Sequence, residues 1–276
     1  MAFHFRNFIP NLGLLSGSLE SYGREGRFQT GDNYLQLGGL PWSGMRWTFT
    51  GGDFRVFPNL VEFPFTNVFY PELAARGFKV EASNTNRRYT FYFGGETLLE
   101  GPRVPFRIGV PQRALGASVE QKIGGRLQLG ARFLRLSSGE KSIAQNPFLF
   151  PFNREFLSVN SVAVQSLYSL ASRLRLYGEM SASAAERSEK PHSYAETPLS
   201  SFLGAVWESS TLLIRANYAY QGASYLPVVG YFLGDRRGPF GEVRYRPFRR
   251  LDLFGSSSRY TNNLENDPRL PTFRST

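Results

Sequence analysis

The side chains best suited to chemistry in this 276-residue chain are arginines, and many of them recur at alternate positions. Arg173 and Arg175 lead to Glu179, Arg215 precedes Asn217, and Glu242 is followed by Arg244 and Arg246. Arg88, Lys122, Arg126 and Arg132 extend the series upstream. A spacing of two puts such groups on one face of an extended strand. Fixed planar cations in a row can concentrate anions, follow a phosphate backbone or pair with carboxylates. They are poor equipment for nucleophilic or metal catalysis. Cysteine is absent, which removes thiolate ligands and nucleophiles, and His4 and His192 are the only histidines. A serine hydrolase would have to recruit His192 from Ser188-Glu189-Lys190-Pro191-His192-Ser193, and a metal site would need further convergent ligands. A lone loop histidine reads as a solvated residue, so no catalytic residue, metal or cofactor is expected.

The charge balance is 32 Lys and Arg against 22 Asp and Glu, a net +10, and only Lys79, Lys122, Lys141 and Lys190 are lysines. Nucleic acid is the habitual partner of such a chain, but here the basic residues are spread over most segments instead of forming one stripe. Nucleic-acid binding is therefore not expected.

The elements that position these groups are strands of period two. They are expected at 17–28, 33–39, 45–57, 78–83, 87–98, 113–123, 126–137, 156–170, 173–185, 198–208, 211–222, 239–247 and 250–262, thirteen in all. Arg173, Arg175, Tyr177, Glu179, Ser181 and Ser183 alternate with Leu174, Leu176, Gly178, Met180, Ala182 and Ala184. Similarly, Arg215, Asn217 and Gln221 oppose Leu212, Ile214, Ala216, Tyr218 and Tyr220. Segment 156–172 carries no charge and can also be drawn as an amphipathic helix; its five serines and its valines favour a strand.

Short and long connections alternate along the chain. Asn84-Thr85-Asn86, Gly124-Gly125, Ala171-Ser172, Ser209-Ser210 and Pro247-Phe248-Arg249 are hairpin turns, whereas 99–112, 138–155, 186–197 and 223–238 are long polar loops. Thr30-Gly31-Asp32-Asn33 and 40–44 form earlier turns, and Gly51-Gly52 a bulge or kink. That rhythm belongs to an antiparallel transmembrane β-barrel with short periplasmic turns and long outer loops. The supply of 25 Phe, 14 Tyr and 3 Trp suits its interfacial girdles, to which Trp47, Phe49, Tyr89, Phe91, Phe93, Phe133, Tyr177, Trp207, Tyr218, Tyr220 and Tyr245 are assigned.

Residues 17–262 resemble an outer-membrane β-barrel at superfamily level. The stretch Gly-Asp-Asn-Tyr-Leu-Gln-Leu-Gly-Gly at 31–39, followed by Gly44-Met45-Arg46-Trp47, resembles the Gly-Asp turn and Arg-rich strand of fimbrial usher barrels. The resemblance implies solute passage or polymer export, although no counterpart of the usher plug or periplasmic domains is recognisable.

Residues 1–16 are expected to be irregular, 17–262 to form the barrel and 263–276 to be a loop. Thirteen is an odd count, and no secretory signal opens the chain, so this chain is expected to hold about 12–14 strands as a fragment of a larger barrel, the alternative being a count off by one in a mature protein without its signal. Residues 58–77 are too apolar and proline-broken for a solvated loop and are expected to fold inward as a lid carrying Phe63, Phe65, Phe69 and Tyr70, or to pack over the rim or a partner. The expected pore lining is Arg88, Lys122, Arg126, Arg132, Arg173, Arg175, Glu179, Arg215, Asn217, Glu242, Arg244 and Arg246. It forms either an anion-attracting lumen or Arg–Glu ladders that fill the bore. The expected function is passive, anion-biased solute passage or polymer export, in contact with outer-membrane lipid and lipopolysaccharide, whose phosphates outward arginines near strand ends could touch. Two other readings are a non-transporting structural or adhesive barrel, and a soluble β-barrel or sandwich that binds acidic ligands.

Overall fold

Alternation of polar and apolar residues gives the chain one repeated element. The computed structural model describes residues 1–24, 27–57, 60–67, 73–96, 113–137, 143–144, 155–187, 199–222, 225, 235–266, 268 and 272–275, and its regular elements are all strands. They are β1 (Ala2–Ile9), β2 (Gly13–Arg24), β3 (Arg27–Thr30), β4 (Tyr34–Trp42), β5 (Met45–Val56), β6 (Leu73–Ser83), β7 (Arg87–Glu96), β8 (Arg113–Ile123) and β9 (Leu127–Ser137). The second half contributes β10 (Ile143–Ala144), β11 (Glu155–Ala171), β12 (Leu174–Arg187), β13 (Leu199–Glu208), β14 (Leu212–Gln221), β15 (Arg236–Phe248), β16 (Leu251–Ser258), β17 (Tyr260–Asn262) and β18 (Arg274–Ser275). No helix among the described residues is long and apolar enough to cross a membrane.

Fourteen of the strands, of eight residues or more, make a continuous antiparallel wall from β1 to β16, with β3, β10, β17 and β18 as short additions. Among the described residues β1 pairs only with β2, while β16 pairs only with β15, so the wall keeps a seam between them. Seven tight turns lie at one rim. Residues with positive φ make three of them: Asn11, the pair Ser43 and Gly44, and the pair Gly124 and Gly125. The longer connections leave from the opposite rim.

The amphipathy is inside out. Gln165 and Glu179, which the register turns inward, are 0% and 5% exposed, whereas outward Met180 and Leu203 are 68% and 62% exposed. A water-soluble sheet would bury the second pair and solvate the first. Here the apolar face is the exposed one, the pattern of a transmembrane β-barrel.

Several expectations need correction. Residues 1–16 are not irregular: Ala2–Ile9 pairs with 13–20, and Phe3 and Phe5 face out while His4 and Arg6 face in, an alternation hidden by Asn7, Pro10 and Asn11. This strand brings the long strands to fourteen instead of thirteen. Segment 17–28 is not one strand, because β2 folds back on β3, with Arg24 opposite Arg27. Segment 250–262 divides into β16 and β17, and the terminal loop returns as β18 to pair with β17. Residues 73–77, expected in the lid, begin β6. The uncharged segment 156–172 is strand β11, not a helix. Loop 99–112 and most of loops 138–155, 186–197 and 223–238 lie outside the described residues.

Glycine decides where the wall bends. The pairing skips a residue at Gly39, which has φ +80°, so the bulge falls there and not at Gly51-Gly52. Gly52 provides the kink: it pairs with Gly77, which pairs in turn with Gly94. A Cβ on Gly77 would stand 2.2 Å from the Phe93 carbonyl oxygen. Beyond this row the ends of β5 and β6 curl inward. Lys79 sits opposite Thr50 yet donates to the Arg55 carbonyl at 3.3 Å. Five residues of straight strand would separate those points by about 16 Å, beyond a lysine's reach. The curl packs Phe54, Leu73 and Ala75 on Tyr92, Ala114, Leu134 and Leu136. Gly77→Val should therefore cost about 2–3 kcal/mol, since backbone cannot yield as a flexible side chain can. The readout is a lower temperature for loss of the folded, heat-modifiable form in detergent gels.

Candidate functional site

The chain between β5 and β6 does not leave the bore. Val61, Phe63 and Phe65 alternate with Glu62 and Pro64, and this short run has no partner strand among the described residues; Pro64 has no amide hydrogen to offer one. Its apolar side chains need another cover. They find it on the inward positions of β11 to β14, where Leu167, Tyr177, Phe202, Val206 and Ala219 form a patch with Val61 and Phe65. Phe63 meets Tyr177 edge-on at 5.0 Å between ring centroids, and Phe65 meets Phe202 likewise at 5.1 Å. Both separations are favourable for aromatic pairs. Two glycines make room: a Cβ on Gly204 would lie 2.2 Å from the Phe65 ring, and one on Gly130 would lie 2.5 Å from Leu60. We call residues 60–67 the strap.

Polar tethers fix the strap along its length. The Leu60 amide donates to Gln165 Oε1 at 2.7 Å, and Gln165 Nε2 donates to Glu179 at 3.0 Å. Glu179 also accepts from the Tyr177 hydroxyl at 2.9 Å and lies 3.9 Å from Arg132. Arg175 bridges Glu62 of the strap at 2.6 Å and Glu208 of the wall at 2.9 Å. Thr66 donates to Glu242, whose other oxygen pairs with Arg215 at 2.6 Å. The Asn67 and Asn217 amides bond reciprocally at 3.1 and 2.9 Å, and Asn67 also donates to the Tyr260 hydroxyl. Most of the buried polar groups of this network thus receive the partner that desolvation requires, Arg215 Nε being an exception. Above this network Ser181 donates to Tyr225, whose phenol is pushed up from its ordinary pKa by burial.

The strap covers one side of the bore, and of two hollows in the barrel one touches it. One, of about 290 Å³, is lined by Tyr34, Gln36, Thr50, Phe54 and Lys79. Another, of about 120 Å³, runs from Leu60 and Val61 to Asn86, Arg88, Glu120 and Lys122 at the tight-turn rim. The first flanks β4 to β6 and the second β7 to β9.

Of the expected lining, the strand register turns Arg88, Lys122, Arg132, Arg175, Glu179, Arg215, Asn217, Glu242, Arg244 and Arg246 inward. Arg126 and Arg173 lie instead in the tight turns beside β9 and β12. Six of the basic groups stand within 4 Å of a carboxylate: Arg88 with Glu120, Arg132 with Glu179, Arg175 with Glu62 and Glu208, Arg215 with Glu242, and Arg244 and Arg246 with Asp252. Ladders are therefore the dominant arrangement of this lumen charge. Of the expected lid, Phe63 and Phe65 are seated in the strap, while Phe69 and Tyr70 lie outside the described residues. Tyr177, assigned to the girdle, is buried in the bore. Gln165, Thr66, Asn67, Phe202, Gly204 and Tyr260 join the site without a charge to mark them in the sequence, although period-two register places Gln165 inward. His4 lies 3.7 Å from Glu20, and His192 is outside the described residues.

Neither protein-family models nor curated proteins give a match. Among solved structures, the crystal structure of the outer membrane channel DcaP of Acinetobacter baumannii superposes with a TM-score of 0.51 at 13% identity, over 99% of this chain and 81% of that one. The fold is that of an outer-membrane β-barrel. Its outward aromatics fit that fold: Tyr89, Phe91, Phe93, Phe133, Trp207, Tyr218 and Tyr245 are all exposed on the wall, where interfacial and lipid-facing rings belong.

Proposed function

We propose that this barrel is an outer-membrane channel for passive passage of small polar solutes, narrowed by the strap. The observation that carries the reading is the strap's position: it is anchored to one side of the bore while a hollow lined by Arg88, Glu120 and Lys122 remains beside it and another, lined by Gln36, Thr50 and Lys79, flanks β4 to β6. A fourteen-stranded wall encloses more room than side chains alone fill, and an inward segment reduces that room to solute size. Polymer export fits less well, because a bulky chain would have to displace Phe63 and Phe65 from their patch.

Selectivity follows from the ladders. Isolated lumen arginines would give strong anion preference, but carboxylates within 4 Å cancel most of their distant field. A weak anion preference is the expected outcome. In planar bilayers under a salt gradient, the purified protein should give discrete conductance steps and a small reversal potential of anion sign. A protein that remains silent, both intact and after deletion of residues 60–67, would favour the structural-barrel reading instead.

A further inference from the structure

Nearly all outward positions of β8 to β14 are uncharged. Among those whose side chains are described, the strand register turns only two charged groups outward, Arg113 on β8 and Arg135 on β9. Both are exposed. Arg113 lies opposite Ser137 and Arg135 opposite Leu115, so the two guanidinium groups are diagonal neighbours on one face. On the far side Arg135 faces Asn160 of β11, and Arg113 faces Gly95 of β7, which adds a carboxamide and leaves open space. Directly below, on the same face, stand Phe93, Leu115 and Phe133, all exposed.

Height decides what meets this pair. Arg113 is ten residues from Ile123 at the tight turn, which at the tilt of barrel strands is about 25 Å, the height of the apolar band. A guanidinium there stands at the head groups, with an acyl-chain surface beneath it. The register places Asp53 in the same outward row, three strands away on β5, but its carboxylate is paired with Arg76 at 2.6 Å, so the membrane is the counter-charge considered for Arg113 and Arg135. Arginine matches phosphate through paired N–H donors, and Asn160 can serve a sugar hydroxyl or an amide.

We propose that Arg113 and Arg135, with Asn160, form a binding site for the phosphorylated glucosamine head group of lipopolysaccharide, its acyl chains lying on Phe93, Leu115 and Phe133. The inference rests on the reading that the long-loop rim faces the outer leaflet, and it does not depend on conduction. The test uses the purified full chain in detergent with lipid A, dephosphorylated lipid A and inorganic phosphate as separate probes, binding being read by native mass spectrometry. Lipid A should bind; dephosphorylated lipid A and inorganic phosphate should bind at least tenfold more weakly. R113Q/R135Q should lose at least tenfold in lipid A affinity, while R87Q, which removes an outward arginine at the opposite rim, should bind as the unaltered chain does. Equal binding of dephosphorylated lipid A, unchanged affinity in the double variant, or an equal loss in R87Q would overturn the site. Bilayer conductance separates the two readings: a double variant that conducts normally but no longer binds lipid A supports both, and a silent protein that still binds lipid A defeats only the channel.

Discussion

Gly204→Val is expected to widen the proposed channel while leaving its wall intact. Gly204 sits inward on β13, and a Cβ at this position would lie 2.2 Å from the Phe65 ring. The ring cannot slide aside, because Phe63, Tyr177 and Phe202 stand 5.4, 5.9 and 5.1 Å from it, centroid to centroid. The strand itself gains from the change, since valine suits a pleated wall better than glycine. The conflict therefore resolves at the strap, which must leave its patch. Single-channel conductance should rise roughly twofold or more, as it follows the open cross-section of the constriction. Phe65→Ala tests the same contact from the other side by removing about 3–5 kcal/mol of docking without adding bulk, and it should raise conductance or its fluctuation. Normal heat-modifiable migration with unchanged conductance in both variants would show that the strap does not limit flow.

The wall was legible because period two acts on each strand separately. Arg175 and Glu179 face in and Leu176 and Met180 face out through a rule that needs no knowledge of neighbours. Connection length, being local, was equally legible. What escaped depends on pairs far apart in the chain. Arg132 meets Glu179 across β11, and Arg175 meets Glu62 113 residues away, so counting inward charges overstated the field that a solute would meet. Tyr177 illustrates a second limit: its alternation points inward while its residue type suits an interfacial girdle, and only the presence of Phe63 and Phe65 decides between them. Gly204 and Gly130 looked like ordinary strand glycines because the groups they accommodate come from the strap. The strap was partly legible, since apolar residues broken by prolines must be covered somewhere, but its seat on β11 to β14 was not.

Removing the negative charge of Glu179 should make the proposed channel more anion-selective, and removing its acceptor oxygens as well should make the barrel less stable. This carboxylate accepts from Gln165 and Tyr177 and is the ion partner of Arg132, whose side chain is 14% exposed. Glu179→Gln keeps an acceptor for the tyrosine and the volume of the side chain, so the hydrogen-bonded seat of Leu60 survives, but Arg132 loses its neutralising charge. An arginine released from its partner beside the constriction acts on passing ions through a medium that screens poorly. The reversal potential under a salt gradient should move toward that of chloride. Glu179→Leu goes further by removing the acceptor that Gln165 and Tyr177 share as well as the charge beside Arg132, and an earlier loss of the folded form on heating is expected. Arg132→Gln should shift the potential the opposite way, and R132Q/E179Q should return it close to the original value, because the pair contributes no net charge whether present or absent. If E179Q conducts with the original reversal potential, ions do not pass near this ladder, and the path must run wholly along the hollow beside Gln36, Thr50 and Lys79.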